Sequence, residues 1–144
     1  FLLMSGAGAY WHDRDLLNAS LPKNKSISIA DVTRDLATLL VTGPKSPAIL
    51  AAVTNQTTSN EDFPWLSHQK VRIAGSEVTA IRVSYAGEAG FELHCKMTDV
   101  VSVYDFVLVN FAVFFCKLLV RFNQISYVVC ITVLHQSLSL ILCD

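Results

Sequence analysis

The stretch Lys70-Val-Arg-Ile-Ala-Gly-Ser-Glu-Val-Thr-Ala-Ile-Arg-Val-Ser-Tyr-Ala-Gly-Glu-Ala-Gly-Phe-Glu-Leu-His-Cys95 decides how this chain is read. Lys70–Ala74 and Glu77–Ser84 alternate apolar and polar residues with a period of two, and they flank Gly75-Ser76. That pattern predicts a β-hairpin turning at the glycine. Tyr85–Gly90 then interrupts the second strand, and Phe91–Cys95 reads as its resumption, with Gly87 and Gly90 permitting a bulged or sharply turned backbone. On such a strand Phe91 and Leu93 face one way, Glu92 and His94 the other.

Working outward, Ile27–Val32 alternates as a half-buried strand, and Leu36–Val41 is a denser, more central one ended by Gly43-Pro44. Ser46–Val53 predicts a helix starting near Pro44 or Pro47, because proline is tolerated where the first-turn N–H has no partner anyway. Phe1–Ser5 reads as a short buried strand leaving its sheet at Gly6-Ala7-Gly8. A helix follows over Ala9–Asn18, with Ala9, Tyr10, Leu16 and Leu17 able to share a face. Thr98 is placed to cap a helix through Val101, Tyr104 and Asp105. The sum is an α+β chain, a mixed sheet with flanking helices.

The chain has 144 residues and a formal net charge of -1, about one core's worth of sequence with no block of like charge. This balance argues against nucleic-acid binding through phosphate neutralisation and against a polybasic membrane anchor. Its hydropathy is unevenly spread. All six glycines, all four prolines and all charged residues but Lys117, Arg121 and Asp144 fall within residues 1–105, whereas 106–143 is roughly 70% apolar. Residues 1–105 are therefore read as one unit and 106–144 as an apolar tail. The tail is open to a helix or a pair of strands, and its longest apolar run, Phe111–Cys116, falls far short of a membrane span. The opening Phe1-Leu-Leu-Met-Ser lacks the organisation of a targeting segment, and the chain reads as a fragment of something longer.

Cys95, Cys116, Cys130 and Cys143 lack the close paired spacing of a metal site, and the last three read as buried apolar residues. No serine sits in a nucleophile elbow. Gly6-Ala7-Gly8 lacks the third glycine of a dinucleotide fingerprint, since Trp11 stands in its place, and is read as a strand-to-helix turn. The dense constellation is Arg82 to His94, which gathers a guanidinium, a phenol, two carboxylates, an imidazole and two glycines. Two readings of it stay open. Glu92 is either an exposed carboxylate beside Arg82 on a solvated strand face, or an inward carboxylate able to accept two parallel hydrogen bonds from a ring carrying an amino group next to a ring N–H.

Tyr85-Ala-Gly-Glu-Ala-Gly-Phe-Glu-Leu93 resembles the Y-x-G-E-x-G-[FW]-E-L element of the folate-binding aminomethyltransferase domain. That domain is shared by the glycine-cleavage T protein and the C-terminal halves of dimethylglycine and sarcosine dehydrogenases. Asp31-Val-Thr33, Leu40-Val-Thr-Gly-Pro-Lys-Ser46, Asn60–Trp65 and Ile81–Tyr85 agree in order and spacing, and Phe1–Ala9 with His12-Asp13 resembles the dehydrogenase branch. The resemblance covers about residues 1–105, and implies a partial folate-binding domain. It implies that Glu92 holds the pteridine of tetrahydrofolate, that Leu93 and His94 occupy the next contact positions, and that Tyr85 and Arg82 shape the pocket; the family commonly has tyrosine where His94 stands. In the full-length dehydrogenases this domain captures the one-carbon unit released from dimethylglycine or sarcosine, FAD belongs to an upstream domain absent from this chain, and the location is the mitochondrial matrix. The fragment alone is expected to be inactive. The same resemblance extends to a non-catalytic relative, a regulatory subunit of the pyruvate dehydrogenase phosphatase, for which an apolar residue is expected in place of Glu92. Beyond Asp105 the family pattern stops, and the tail is read as read-through or alternative-exon sequence.

Overall fold

A computed structural model describes the backbone of residues 1–85, 87–121, 130–134 and 137–143, and the side chains of 1–6, 8–85 and 87–111. Its elements are β1 (Leu2–Gly6), α1 (Tyr10–Ala19), β2 (Ser28–Asp31), β3 (Leu36–Thr42), α2 (Ser46–Thr54), β4 (His68–Ile73), β5 (Ser76–Val83), β6 (Gly90–Lys96), α3 (Val100–Arg121), β7 (Cys130–Leu134) and β8 (Ser137–Cys143). A five-stranded sheet has the order β4-β5-β6-β3-β7, and a three-stranded one the order β1-β8-β2.

The β4–β5 hairpin forms where the alternation predicts it. Ile73 pairs with Ser76, and Ala74 and Gly75 turn the chain with φ of 52° and 82°. Two successive positive φ values match the right-handed twist of the flanking strands. α2 carries a proline at its start, and Asn55 ends it in the left-handed region at φ 59°, where its N–H donates to Ala51 O at 2.9 Å. Helix periodicity puts Ile49, Leu50 and Val53 of α2 on one buried face.

One face of the central strands carries the core. Leu39 and Val41 of β3, Phe91 and Leu93 of β6, Val78 and Ala80 of β5 and Val71 and Ile73 of β4 are buried there with α2, Phe63, and Val103 and Val107 of α3. The Phe63 and Phe91 rings lie 5.4 Å apart. α3 runs unbroken through Asp105, where the composition changes, and Phe111 packs against the core. After it the tail supplies two strands, β7 on β3 and β8 between β1 and β2. The expected burial of Cys116, Cys130 and Cys143 concerns side chains outside the described residues. No helix among the described residues is long and apolar enough to cross a membrane.

Several expectations are corrected. Every described strand pairing is antiparallel, where a mixed sheet was expected. The short β4–β5 and β5–β6 connections reverse the chain, whereas a parallel pair needs a crossover of a dozen or more residues. Phe91–Cys95 does not resume β5: Val83 pairs with Gly90, so the chain reverses between them and β6 runs back along β5. β1 is a strand but not a buried one, since Phe1, Leu2, Leu3 and Met4 are all exposed and no residue of α1 is buried. Thr98 caps no helix; its hydroxyl donates to Asp99 within a 3-10 turn over Met97–Asp99 that precedes α3.

Candidate functional site

The face of β6 opposite the core carries the chemistry. Strand alternation sends Phe91, Leu93 and Cys95 into the core and Glu92 and His94 to the other side, yet these two polar residues are also buried, at 9% and 6% exposure. Register sets their neighbours: His94 stands between Thr38 of β3 and Thr79 of β5, and Glu92 between Leu40 and Ile81.

Four side chains form one hydrogen-bonded line. The Tyr85 hydroxyl donates to Glu92 Oε1 at 2.5 Å, Glu92 Oε2 lies 3.1 Å from His94 Nε2, and His94 Nδ1 lies 2.9 Å from Thr38 Oγ1. An ionised carboxylate only accepts, so His94 Nε2 carries a proton and donates it. That hydrogen bond, ahead of the one from Tyr85, holds the Glu92 carboxyl below the usual carboxylate range against the opposing effect of burial. The phenol responds in reverse: its bond to Glu92, then desolvation, push the Tyr85 hydroxyl up to about 12. Among the described side chains no buried polar atom is left without a partner.

The loop that carries Tyr85 is pinned at its far end. Ala89 O accepts from Gly43 N–H at 3.0 Å and from the Ser46 hydroxyl at 2.7 Å, which ties the loop to the start of α2. Gly87 takes φ 78° in this loop. Gly90 serves a different need: a Cβ there would meet Thr42 Oγ1 at 3.2 Å and Val83 O at 3.3 Å, so its absence lets β6 enter closely between β3 and β5. Tyr85 itself is 71% exposed, and only its hydroxyl is shown in contact with Glu92.

Of the five residues singled out from the sequence, the structure joins Glu92, His94 and Tyr85. It does not bring Arg82 or the Leu93 side chain to them. Arg82 pairs with Phe91 in register and so lies on the core face. Its guanidinium donates to Ser59 O at 3.1 Å, to Phe63 O at 2.6 Å and to Asn60 Oδ1, and sits 5.7 Å from the Phe91 ring centroid. It fastens the 59–67 loop to β5 rather than shaping the Glu92 pocket. Leu93 is fully buried in the core.

Thr38 is the member that sequence reasoning missed. It stands as a threonine between Ala37 and Leu39, and nothing local tells that β3 will pair with a strand 56 residues on. A separate polar group ties α1 to β2, with the Tyr10 hydroxyl donating to Asp31 Oδ2 at 2.6 Å and Arg14 to Tyr10 at 3.1 Å. The Tyr10 bond, then those from Thr33, lower the Asp31 carboxyl to about 2. Among the described residues no group of three or more His, Cys, Asp or Glu side chains can hold a metal ion.

An antiparallel sheet with helices on one face and a buried, hydrogen-bonded carboxylate on the other defines an α+β domain with a polar site at its central strands. The chain belongs to the GCVT N-terminal domain family, whose model matches residues 1–112. It is 33% identical over 109 residues to human mitochondrial dimethylglycine dehydrogenase, covering 75% of this chain and 13% of that protein. To human mitochondrial sarcosine dehydrogenase it is 38% identical over 109 residues, covering 75% of this chain and 12% of that protein. An aminomethyltransferase of Shouchella clausii is 31% identical over 108 residues, covering 75% of this chain and 29% of the relative. The chain thus spans a small part of the length of the relatives it matches.

Proposed function

We propose that this chain carries the carboxylate side of a tetrahydrofolate site, with Glu92 as the group that holds the pteridine ring. The observation that carries this reading is the burial of Glu92 as an ionised carboxylate between Tyr85 and His94. Burying a charge is costly unless it is paired, and a buried carboxylate on a strand face opposite the core has no packing role that an apolar residue would not fill better. That favours a binding role over a non-catalytic interaction domain.

The donor set fits the ligand. A carboxylate has about four acceptor positions over its two oxygens, and Tyr85 and His94 take one on each. One position on each oxygen remains, the arrangement that receives two parallel N–H donors from an aminopyrimidinone ring. Leu40, Ile81 and Val83, all half-buried on the same face, supply apolar surface beside it. Tetrahydrofolate accepts a one-carbon unit when bound. The chain's own residues do the holding: Glu92 orients the ring, His94 keeps the carboxylate in place, and the exposed Tyr85 donates to its other oxygen.

In this reading the chain is part of a domain that, in a larger enzyme, captures the one-carbon unit from oxidative demethylation of dimethylglycine or sarcosine. A mitochondrial matrix location goes with it, as two of the relatives are named mitochondrial. Calorimetric titration of tetrahydrofolate into the chain and into Glu92→Ala tests the site. Two charge-assisted hydrogen bonds at about 1.5–3 kcal/mol each predict at least a tenfold loss of affinity in the variant. Equal heats in both, or none in either, overturn the assignment.

A further inference from the structure

We propose that His94 is the positioning residue of this site, its Nε2 proton set by Glu92 and its ring held in place by Thr38, and that it fixes the plane of the Glu92 carboxylate presented to the ligand. The proposal deepens the tetrahydrofolate reading and rests on it only for the identity of the ligand.

The two partners of Glu92 differ in permanence. Tyr85 is 71% exposed just after β5, so it can leave Oε1 for water at little desolvation cost. His94 is 6% exposed and engaged at both ring nitrogens. Of the two partners, His94 is the one whose place is fixed by the surrounding sheet.

The proton arrangement is determined by chemistry. Glu92, ionised, accepts only, so Nε2–H must donate to Oε2. In the neutral ring Nδ1 then carries the lone pair, and the freely rotating Thr38 hydroxyl supplies the donor that Nδ1 needs. Thr38 comes from β3 and His94 and Glu92 from β6, so the lock joins two strands of the sheet. Across this face the ring is flanked by Thr38 of β3 and Thr79 of β5, and along β6 by Glu92 and the exposed Lys96; Lys70 of β4, beyond Thr79, is bonded to Glu77 at 3.0 Å. Glu92 is the charged group in hydrogen-bond contact with the ring.

The test uses the full chain labelled with 15N-histidine and 13C-carboxyl glutamate. Nitrogen NMR of the wild type is expected to show His94 with a protonated Nε2, and Thr38→Val to keep that proton, because Glu92 still requires it, while shifting the Nδ1 resonance. His94→Gln, whose amide can still donate to Glu92, is expected to hold tetrahydrofolate within about threefold of wild type. His94→Phe, of similar shape without a donor, is expected to lose at least tenfold, the size of a charge-assisted hydrogen bond. The Glu92 carboxyl is expected to titrate below its ordinary value in wild type and His94→Gln and to rise in His94→Phe. Equal affinity of the Gln and Phe variants, a lone pair on Nε2, or a Glu92 titration unmoved by Phe overturns the positioning role. If wild type binds no tetrahydrofolate, the folate reading fails while the tautomer and carboxyl titrations still decide the proposal.

Discussion

The two faces of β6 are made by alternating residues of one seven-residue strand, and they do opposite work. On one side Phe91, Leu93 and Cys95 vanish into an apolar core with β3, β4, β5, α2 and α3. On the other, Glu92 and His94 are also buried but joined by directional bonds to Thr38 and Tyr85. The first face is held by area and tolerates apolar replacements of similar volume. The second is held by geometry, where removing one partner strands another. A difference that burial shows only faintly becomes plain in what each substitution should cost.

The largest effect is expected from Phe91→Ala, which empties the centre of the core beneath Phe63. A loss of about 3–5 kcal/mol on urea unfolding follows from the cavity and transfer terms together. A loss below about 1 kcal/mol would break the description of this face as the core. Arg82 is the next probe, because sequence order groups it with Glu92 while the structure puts it on the core side. Arg82→Ala is expected to lower stability by about 1–3 kcal/mol, through loss of its bonds to the 59–67 loop. Tetrahydrofolate affinity should stay within about twofold of wild type by calorimetry, and a tenfold loss would show that the two faces communicate.

Acid unfolding sharpens the comparison from the polar side. Glu92 titrates lower in the folded chain than its ordinary value of 4.5, so its contribution is present above about that pH and is lost as pH falls through the folded value. Asp31, lowered from 3.8 to about 2, loses its contribution over that lower interval. Asp31 is largely exposed, so screening limits its share to a few tenths of a kcal/mol up to about 1. Glu92→Gln should remove the loss of stability that sets in as pH falls below about 4.5 and leave the Asp31 limb, a separation read from urea midpoints at several pH values. The smallest effect is spectroscopic. Tyr85 should ionise near 12 rather than at its ordinary 10 in an ultraviolet titration. Glu92→Gln should bring it back down, because the bond to the carboxylate is the main cause of the shift.

How far the sequence could be read differs between the two faces. The β4–β5 hairpin, β3 and α2 follow from period-two and helical alternation, from Gly75 and from Pro47, all of which act over a few residues. The split of Phe91 and Leu93 from Glu92 and His94 is equally local. Arg82 shows where locality ends. Read along one interrupted strand, the even-numbered Arg82, Glu92 and His94 share a face; instead β6 folds back so that Val83 meets Gly90 and Arg82 meets Phe91. A single change of direction moves one side chain across the sheet.

By itself, then, the sequence determined the α+β class, the hairpin, the family and the candidacy of Glu92, because alternation, turn chemistry and a specific motif are encoded in neighbouring residues. Only the tertiary structure decided that Glu92 is buried rather than exposed beside Arg82, that Arg82 serves the core face, and that Thr38 completes the line to His94. Those outcomes depend on which strands pair and in what register, and register is set by the summed burial of the whole sheet rather than by any one segment.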